Sequence, residues 1–325
     1  MTVIVSPSDQ EAADQLRDRF RGLLLGMALG DALGAAVQYR RAGTFGRIAD
    51  LLGGGPYDLP PGAWSDDAAT ALLCADSLIA MERLDAPDIW RRWTGWRLAG
   101  EGSATGQCLG ITAAMANALS HAPGLAHDSA LDGEALPRVA IAAAVWFADR
   151  RLALNKGAEI AQLTHSGMRT VDAARIYASW VVAALEGQAG ERLLSTRNED
   201  VSAEGVLSDS AIVHLRTGGW SAAEEIIVEG ARKGDAFSVL RVTYAACLLG
   251  KTFKETILAV VNAGGHSDMT GATVGALAGA CYGAAALPEK WLVVLRDREA
   301  IEARADRLLV CSLMKMLGET ADIAI

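Results

Sequence analysis

A face of glycines repeated every four residues is the feature that most constrains the fold of this chain. Within an Ala-rich segment near the C-terminus, one glycine falls on each turn of a helix: Gly271, Gly275, Gly279 and Gly283. Each glycine inside a helix costs about 1 kcal/mol relative to alanine. Close approach of another helix along this face would offset that cost. We therefore expect tight helix packing here.

The composition favours helices throughout the chain. The chain has 325 residues, of which 51% are hydrophobic and only 6% aromatic. Runs of β-branched and aromatic residues, which favour strands, are few, whereas Ala and Leu, which favour helices, abound. We expect an all-α fold, a compact single-domain multi-helix bundle over residues 16–325. The polar residues 1–15 are expected to form a flexible arm.

Helical spacing of apolar residues predicts the individual elements. The first helix is expected to be interrupted near Gly30 and Asp31, and long loops are expected at 42–62 and 191–208. The predicted helices cover residues 12–37, 65–79, 87–98, 104–119, 134–147, 157–163, 170–185, 222–232, 237–249, 253–261, 270–285 and 298–317.

The net charge argues against a nucleic-acid partner, and the cysteines indicate the redox compartment. The net charge is −9, and the tight basic clusters are the pairs at 40–41, 91–92 and 150–151, which form no stripe with aromatics. We therefore expect no nucleic-acid partner.

The five cysteines include no CxxC and fit a reducing cytoplasm. The apolar segment 270–287 is expected to be a buried helix, not a membrane span.

Two motifs carry candidate metal ligands. Ser65, Asp66 and Asp67 follow a Gly/Pro-rich loop, and His266, Ser267 and Asp268 follow two glycines, as the sequence reads WSDD and GGHSD. Carboxylates at such turns can bind a divalent cation. Each motif taken alone is more typical of helix capping, because Ser and Asp are the usual capping residues.

Three further motifs are candidates for a supporting role. Asp31 lies between glycines in an apolar helix, where it could support a metal site or be a solvated residue at a kink. The glycine-rich loop at 100–106 could present amides to a phosphate or be an ordinary linker. His165, at a helix end, could contact a base or interact with the helix dipole.

The order of these motifs resembles the ADP-ribosylglycohydrolase family. Residues 64–67 resemble its W-T-D-D-T motif, 132–139 loosely resemble N-G-x-x-M-R-V, 164–165 match its T-H, and 261–268 resemble N-x-G-G-D-T-D-T. The resemblance extends from about Arg21 to Trp291. It implies an all-helical fold and an enzyme that removes ADP-ribose from modified side chains with a pair of Mg²⁺ or Mn²⁺ ions.

The resemblance also implies roles for residues of this chain. Asp66, Asp67 and Asp268 would be catalytic and would hold an ion together with Ser65, and His266 occupies a further ligand position. Contacts to the ADP-ribose would come from Gly100, Gly102, Ser103, Gly106, Asp132, Gly133, Arg138 and His165.

Three positions depart from the family pattern. Gln38 replaces a Glu, His266 replaces an Asp and Met269 replaces a Thr, while Ser65 keeps the hydroxyl of the usual Thr. Two negative charges are lost, and imidazole suits softer ions better than Mg²⁺. We therefore expect one Mg²⁺ or Mn²⁺ ion instead of the pair, or a second ion that is bound differently.

Two functions from different classes follow from the resemblance. The first is a hydrolase that removes ADP-ribose from a modified protein side chain or a small molecule by metal-assisted cleavage of the ribosyl N- or O-glycosidic bond. The second is a catalytically weak or inactive relative that binds ADP-ribose or an ADP-ribosylated partner as a regulator. A hydrolase of another ribosyl or nucleotide substrate is a third possibility. None of these needs a nucleic-acid or membrane partner.

Overall fold

Fourteen α-helices and one 3-10 turn form the part of the chain described by this computed structural model, residues 7–121, 132–194 and 209–322. Within these ranges no strand forms, and β-pairing is limited to isolated bridges. The all-α prediction is confirmed. The helices are α1 (Pro7–Ala35), α2 (Asp66–Met81), α3 (Ala86–Ala99), α4 (Ala113–Ala118), α5 (Leu136–Val145), α6 (Arg150–Gln162), α7 (Met168–Leu185), α8 (Gly190–Leu194), α9 (Asp209–Lys233), α10 (Ala236–Leu249), α11 (Phe253–Val261), α12 (Ser267–Tyr282), α13 (Glu289–Val294) and α14 (Arg298–Asp322).

The glycine face of α12 packs directly on the backbone of α1. A Cβ added to Gly271 would lie 2.3 Å from the carbonyl oxygen of Gly30, and one added to Gly275 would lie 2.1 Å from that of Gly26. Real Cβ atoms do not approach so closely, so the two backbones are in contact. The predicted close packing is present. Gly283 was predicted to lie within this helix. It instead follows α12, and its φ of 80° ends the helix.

Helix α1 is longer and more regular than expected. Residues 7–11, predicted only as part of an arm, are helical and precede the predicted helix start at residue 12, while residues 1–6 lie outside the described ranges. Pro7 at the first position and Asp9 in the first turn favour this start. The predicted interruption at Gly30 and Asp31 is absent, because both residues are held inside the helix by contacts with other helices.

Other boundaries also differ from the predictions. The helix predicted over 104–119 is reduced to α4, because Gly106 and Gly110 adopt φ values of 75° and 86° that end regular structure. Thr112 caps α4 by accepting a hydrogen bond from the amide of Met115. Two short helices, α8 and α13, were not predicted, and α8 occupies the start of the expected loop at 191–208, whose residues 195–208 lie outside the described ranges.

Helix α12 is the centre of the core. It packs against α1, α2, α5, α7, α10 and α11, and its residues from Ser267 to Ala280 are buried. This packing brings the N-termini of α2 and α12 to the same place, beside the C-terminal part of α1. Among the described residues, no helix combines the length and hydropathy that a membrane span requires.

Candidate metal centre

The N-terminus of α2 is capped by a side chain from α1. Asp31 is fully buried, and its carboxylate accepts hydrogen bonds from the Ser65 amide at 2.8 Å, the Ser65 hydroxyl at 2.6 Å and the Ala68 amide at 2.8 Å. Ser65 occupies the N-cap position, but its side chain makes no cap hydrogen bond. Asp31 therefore does the capping, and Asp66 and Asp67 are not needed for it.

Three carboxylates converge at the ends of α2 and α12. One oxygen each from Asp66, Asp67 and Asp268 lies within 4.8 Å of the other two, and each residue is no more than 3% exposed. The Oδ1 atoms of Asp66 and Asp67 are buried without a hydrogen-bond partner. Such atoms are costly unless something compensates them. A hard divalent cation, which prefers oxygen ligands, would do so, and these residues fit such an ion.

The electrostatics of the cluster favour a cation. Burial, with the neighbouring carboxylates Asp268 and Glu134, raises the pKa of Asp66 well above its usual range. The pKa of Asp67 is raised in the same way by burial and by Asp66. Burial raises the pKa of Asp268 to about 7. A bound cation would reverse these shifts, because it stabilises the ionised carboxylates.

The turn before α12 fixes the position of Asp268. Ser267 is buried, and its hydroxyl donates to the Gly34 carbonyl at 2.7 Å. Gly264 and Gly265 adopt φ values of 67° and 64°. His266 takes the N-cap position without a side-chain cap hydrogen bond. Asp268 therefore lies in the first turn of the helix, where it is not the N-cap residue.

A cleft of about 290 Å³ opens onto this cluster. Gln38, His266 and Met269, the residues that depart from the family pattern, all line it. The Oε1 atom of Gln38 is buried without a hydrogen-bond partner. His266 is not part of the three-carboxylate cluster, and burial lowers the pKa of its imidazole. The other lining residues are Tyr39, Asp66, Asp67, Ile111, Thr112, Ala113, Asp132, Glu134 and Asp268.

A second polar cluster lies along the same cleft. His165 Nε2 is 2.8 Å from Asp132 Oδ1, and Glu134 accepts a hydrogen bond from the Thr112 hydroxyl. Burial would raise the pKa of Asp132, but its hydrogen bond with His165 and the nearby charges bring it below the usual value. Asp132, Glu134 and His165 also lie close enough together to hold an ion. Unlike Asp66 and Asp67, the carboxylates of Asp132 and Glu134 already have hydrogen-bond partners within the protein.

Arg138 lies beneath the cleft. Its side chain is fully buried, with the guanidinium 2.7 Å from the Thr164 hydroxyl, 3.4 Å from Glu134 and 5.1 Å from the centre of the Trp93 ring. A side chain in this position cannot contact a ligand that enters from solvent. The predicted contact with ADP-ribose does not match this placement, and Arg138 instead positions Glu134 and Thr164.

The glycine-rich loop also differs from its predicted role. Ser103 bonds back to the Gly100 carbonyl, through its hydroxyl at 2.8 Å and its amide at 3.2 Å. A Cβ on Gly102 would lie 2.7 Å from Leu73. Among the described residues, neither Gly106 nor the rest of this loop lines the cleft, and the segment 111–113 lines it instead.

Sequence reasoning missed several lining residues. Glu134 and Thr112 were not selected, although the spacing of Glu134 and Arg138 by four residues within the helix predicted over 134–147 was a signal for the first. Thr112 carried only a capping signal. Gly133 does not line the cleft, and its amide donates to the Gly234 carbonyl at 2.9 Å. The predicted ligands Asp66, Asp67 and Asp268 are brought together as a cluster, with Ser65 beside them.

The fold and the sequence correspond to one class of known proteins. A solved structure described as an ADP-ribosylglycohydrolase-related protein complex superposes with a TM-score of 0.72 at 30% identity, covering 92% of this chain and 99% of that chain. The sequence model of the ADP-ribosylglycohydrolase family matches residues 12–316. The chain belongs to the ADP-ribosylglycohydrolase family.

Two curated relatives are enzymes by name. The chain is 27% identical over 270 residues to ADP-ribosylarginine hydrolase Tri1 of Serratia proteamaculans, covering 80% of this chain and 71% of that protein. It is 29% identical over 282 residues to ADP-ribosyl-[dinitrogen reductase] glycohydrolase of Rhodospirillum rubrum, covering 85% of this chain and 90% of that protein. Both names describe hydrolysis of an ADP-ribosylated protein or side chain.

Proposed function

We propose that this protein hydrolyses the glycosidic bond between ADP-ribose and a modified arginine side chain, and that Asp66, Asp67 and Asp268 hold one divalent cation, Mg²⁺ or Mn²⁺, for this purpose. The observation that carries the proposal is the pair of buried, unpartnered oxygens on Asp66 and Asp67. Family membership and the names of the two relatives support the reaction. The acidic cleft suits a guanidinium leaving group.

The residues of the cleft can promote this cleavage. A divalent cation, when bound, orients the ribose and activates a water. Breaking the bond at the anomeric carbon builds positive charge on the ribose, and the five carboxylates that line the cleft stabilise that charge. An ionised carboxylate of the cleft accepts the proton that the attacking water loses as its oxygen bonds to the anomeric carbon, and this proton then passes to the arginine nitrogen that leaves. Asp31 holds Ser65 and the start of α2 in place.

One ion fits better than two. The unpartnered carboxylate oxygens belong to one cluster, and the side chains beside it are an amide, an imidazole and a thioether, from Gln38, His266 and Met269. Hard cations bind through charged oxygen ligands, which these side chains lack. The carboxylates of Asp132 and Glu134 are already bonded to His165 and Thr112.

The test is release of ADP-ribose from an ADP-ribosyl-arginine peptide by chelator-treated protein, with Mn²⁺ or Mg²⁺ added back. We expect release only with metal, and a loss of about 100-fold or more in Asp67→Asn, since removing a charged group from a reacting site costs several kcal/mol. The matched control is Asp172→Asn, which removes an exposed carboxylate and should leave the rate unchanged. Absence of release with either ion would contradict hydrolysis of arginine-linked substrates.

A regulator that binds ADP-ribose without turnover is the second candidate. The observation that favours it is the replacement of two carboxylates, at Gln38 and His266, in the lining of the cleft. Thermal stabilisation by ADP-ribose without any release from the peptide would support it. Stabilisation together with release would support the hydrolase.

We further infer that residues 16–325 act as one helical domain in a reducing cytoplasm, without a nucleic-acid or membrane partner. Helices α1 and α14 are joined, because Arg17 and Arg21 on α1 both bond to Asp306 on α14. The five cysteines are unpaired. These contacts support a single folding unit, and the free thiols fit a reducing compartment.

A further inference from the structure

Tyr39 is the large side chain at the rim of the metal cleft. Of the described residues that line this cleft, Tyr39 and Ala113 are exposed, and the others are buried or half-buried. Tyr39 is 55% exposed, whereas the residues of the carboxylate cluster are no more than 3% exposed. A ligand that reaches from solvent to the cluster therefore enters past Tyr39.

The backbone of Tyr39 is held in a strained conformation by the turn that presents Asp268. Its φ is 64°, which is rare for a residue with a bulky side chain. The Tyr39 amide donates to the Gly265 carbonyl at 2.6 Å, and the Gly265 amide donates to the Arg40 carbonyl at 2.8 Å. Strain of this kind is found at functional sites, where the surrounding structure maintains it. The same turn thus fixes the backbone of Tyr39 and that of Asp268 relative to each other.

The ring of Tyr39 keeps an aromatic face open. It meets the ring of His266 edge to face, with 5.8 Å between the ring centres and 89° between the planes. Such a contact covers at most one face of a ring. The cation nearest in sequence, Arg40, lies over Phe45 instead, 5.4 Å from the centre of that ring. Because more than half of Tyr39 is exposed, a face of its ring is available to a ligand.

The charge around this face favours a cation on the cleft side. Five carboxylates line the cleft, and none of its described lining residues is a lysine or an arginine. The face of a Tyr ring attracts cations, and a planar, weakly hydrated guanidinium stacks on it well. A second pocket that Tyr39 also lines carries three arginines and disfavours a cation there. A guanidinium joined to ribose through one nitrogen keeps its planar charge, whereas free ADP-ribose has no such group.

We propose that Tyr39 is a specificity-determining residue whose ring stacks on the guanidinium of the modified arginine while the ribose lies at the carboxylate cluster. This inference rests on the proposed function and adds to it the residue that recognises the acceptor side chain. The modified arginine belongs to another protein, which is too large for a cleft of about 290 Å³, so its side chain enters from the rim. Tyr39 lies at that rim, between the buried cluster and solvent.

The experiment measures initial rates of Mn²⁺-loaded protein, with an ADP-ribosyl-arginine peptide as substrate and free ADP-ribose as competitive inhibitor. The variant Tyr39→Asn removes the ring and suits the left-handed backbone. We expect its KM for the peptide to rise about fivefold, the effect of losing a cation–π contact, with kcat nearly unchanged. The inhibition constant of ADP-ribose should stay the same, because ADP-ribose carries no guanidinium. Tyr39→Phe keeps the aromatic face and should behave as the wild type does.

The matched control is Trp220→Leu, which removes a 36% exposed aromatic residue outside the cleft and should change neither constant. An unchanged KM in Tyr39→Asn, or the same rise in Tyr39→Phe, would overturn the proposal. Equal weakening of the peptide and of ADP-ribose in Tyr39→Asn would overturn it as well, because that result indicates a structural role.

A binding measurement separates this proposal from the proposed function. If the wild type hydrolyses nothing, calorimetric titration of the Mn²⁺-loaded protein gives the two affinities instead. Tighter binding of the peptide than of ADP-ribose, by about fivefold in the wild type but not in Tyr39→Asn, would uphold the contact and reject the hydrolase. Equal or undetectable binding of the two ligands to the wild type would reject the contact. Hydrolysis with the same KM in the wild type and in Tyr39→Asn would uphold the hydrolase alone.

Discussion

The hydroxyl of Ser65 donates a hydrogen bond to the carboxylate of Asp31 over 2.6 Å, inside the core and between two helices that are far apart in sequence. The Asp31 carboxylate accepts three hydrogen bonds in all, from this hydroxyl and from the amides of Ser65 and Ala68. This carboxylate caps α2 in place of the residues at its own N-terminus. Asp66 and Asp67 are thereby left with unpartnered oxygens that a cation can use.

Replacing Asp31 should weaken both the fold and the metal cluster. In Asp31→Asn, the amide nitrogen cannot accept the hydrogen bonds that one carboxylate oxygen now accepts, so we expect a loss of about 1–3 kcal/mol in the free energy of unfolding. Urea denaturation in the presence of a chelator measures it. Mn²⁺ affinity should fall as well. The control Asp76→Asn changes a partly exposed carboxylate bonded to Arg304 and should leave Mn²⁺ affinity unaltered. Equal Mn²⁺ affinity in both variants would argue against a role for Asp31 in positioning the cluster.

Without metal, the protein should become less stable as pH rises. Burial raises the pKa of Asp31 to about 6 and that of Asp268 to about 7. Between the unfolded pKa near 4 and these values, the folded state binds more protons than the unfolded state, so the free energy of unfolding falls with increasing pH, on the order of a few kcal/mol. Urea denaturation across this range, with a chelator present, measures the slope. Mn²⁺ should remove most of the loss near neutral pH. Stability that rises with pH in the chelated protein would contradict this account of the cluster.

The contact between α1 and α12 should not tolerate a methyl group. In Gly275→Ala, the new Cβ would lie 2.1 Å from the Gly26 carbonyl oxygen. Overpacking of this kind costs about 1–3 kcal/mol, more than the gain in helix propensity of about 1 kcal/mol. Thermal unfolding should show a lower Tm for this variant. Gly46→Ala, where no atom lies within 4 Å of the added Cβ, is the matched control and should keep the wild-type Tm.

Restoring the acidic residues should create a second ion position. The triple variant Gln38→Glu/His266→Asp/Met269→Thr adds two carboxylates and a hydroxyl around the cluster. We expect the number of Mn²⁺ ions bound per chain to rise from one to two, because affinity for hard cations depends on ligand charge and number. Calorimetric titration counts the ions. A control Gln188→Glu, at a partly exposed position that does not line the cleft, should not change the count. If the triple variant still binds one ion, these three positions do not explain the difference from the family.

Local sequence patterns predicted much of the fold but not the partners across it. The glycine face of α12 was visible as a repeat, whereas its partner, the face of α1 that carries Gly26 and Gly30, is recognised only when the two helices are paired in space. The helix predicted over 104–119 was wrong at its start, because the left-handed conformation of Gly106 and Gly110 overrides the apolar spacing.

In the candidate site, too, local motifs could be recognised from the sequence, whereas contacts between distant residues could not. The carboxylates of Asp66, Asp67 and Asp268 were selected because each stands in a recognisable motif. Asp66 and Asp67 are not needed as caps, because Asp31 caps α2 instead. Asp31 lies 34 residues before Ser65, so only the structure shows that it contacts α2. Arg138 was expected to contact a ligand because of the family resemblance, but its side chain is fully buried and bonded to Thr164, which keeps it below the cleft.

The most direct test of the central claim is a titration of Mn²⁺ into chelator-treated protein and into Asp268→Asn. We expect one ion per wild-type chain, and binding weaker by about 100-fold in the variant, since a hard cation loses one of its three charged ligands. A wild-type protein that binds no ion, or a variant that binds Mn²⁺ as tightly as the wild type, would contradict it.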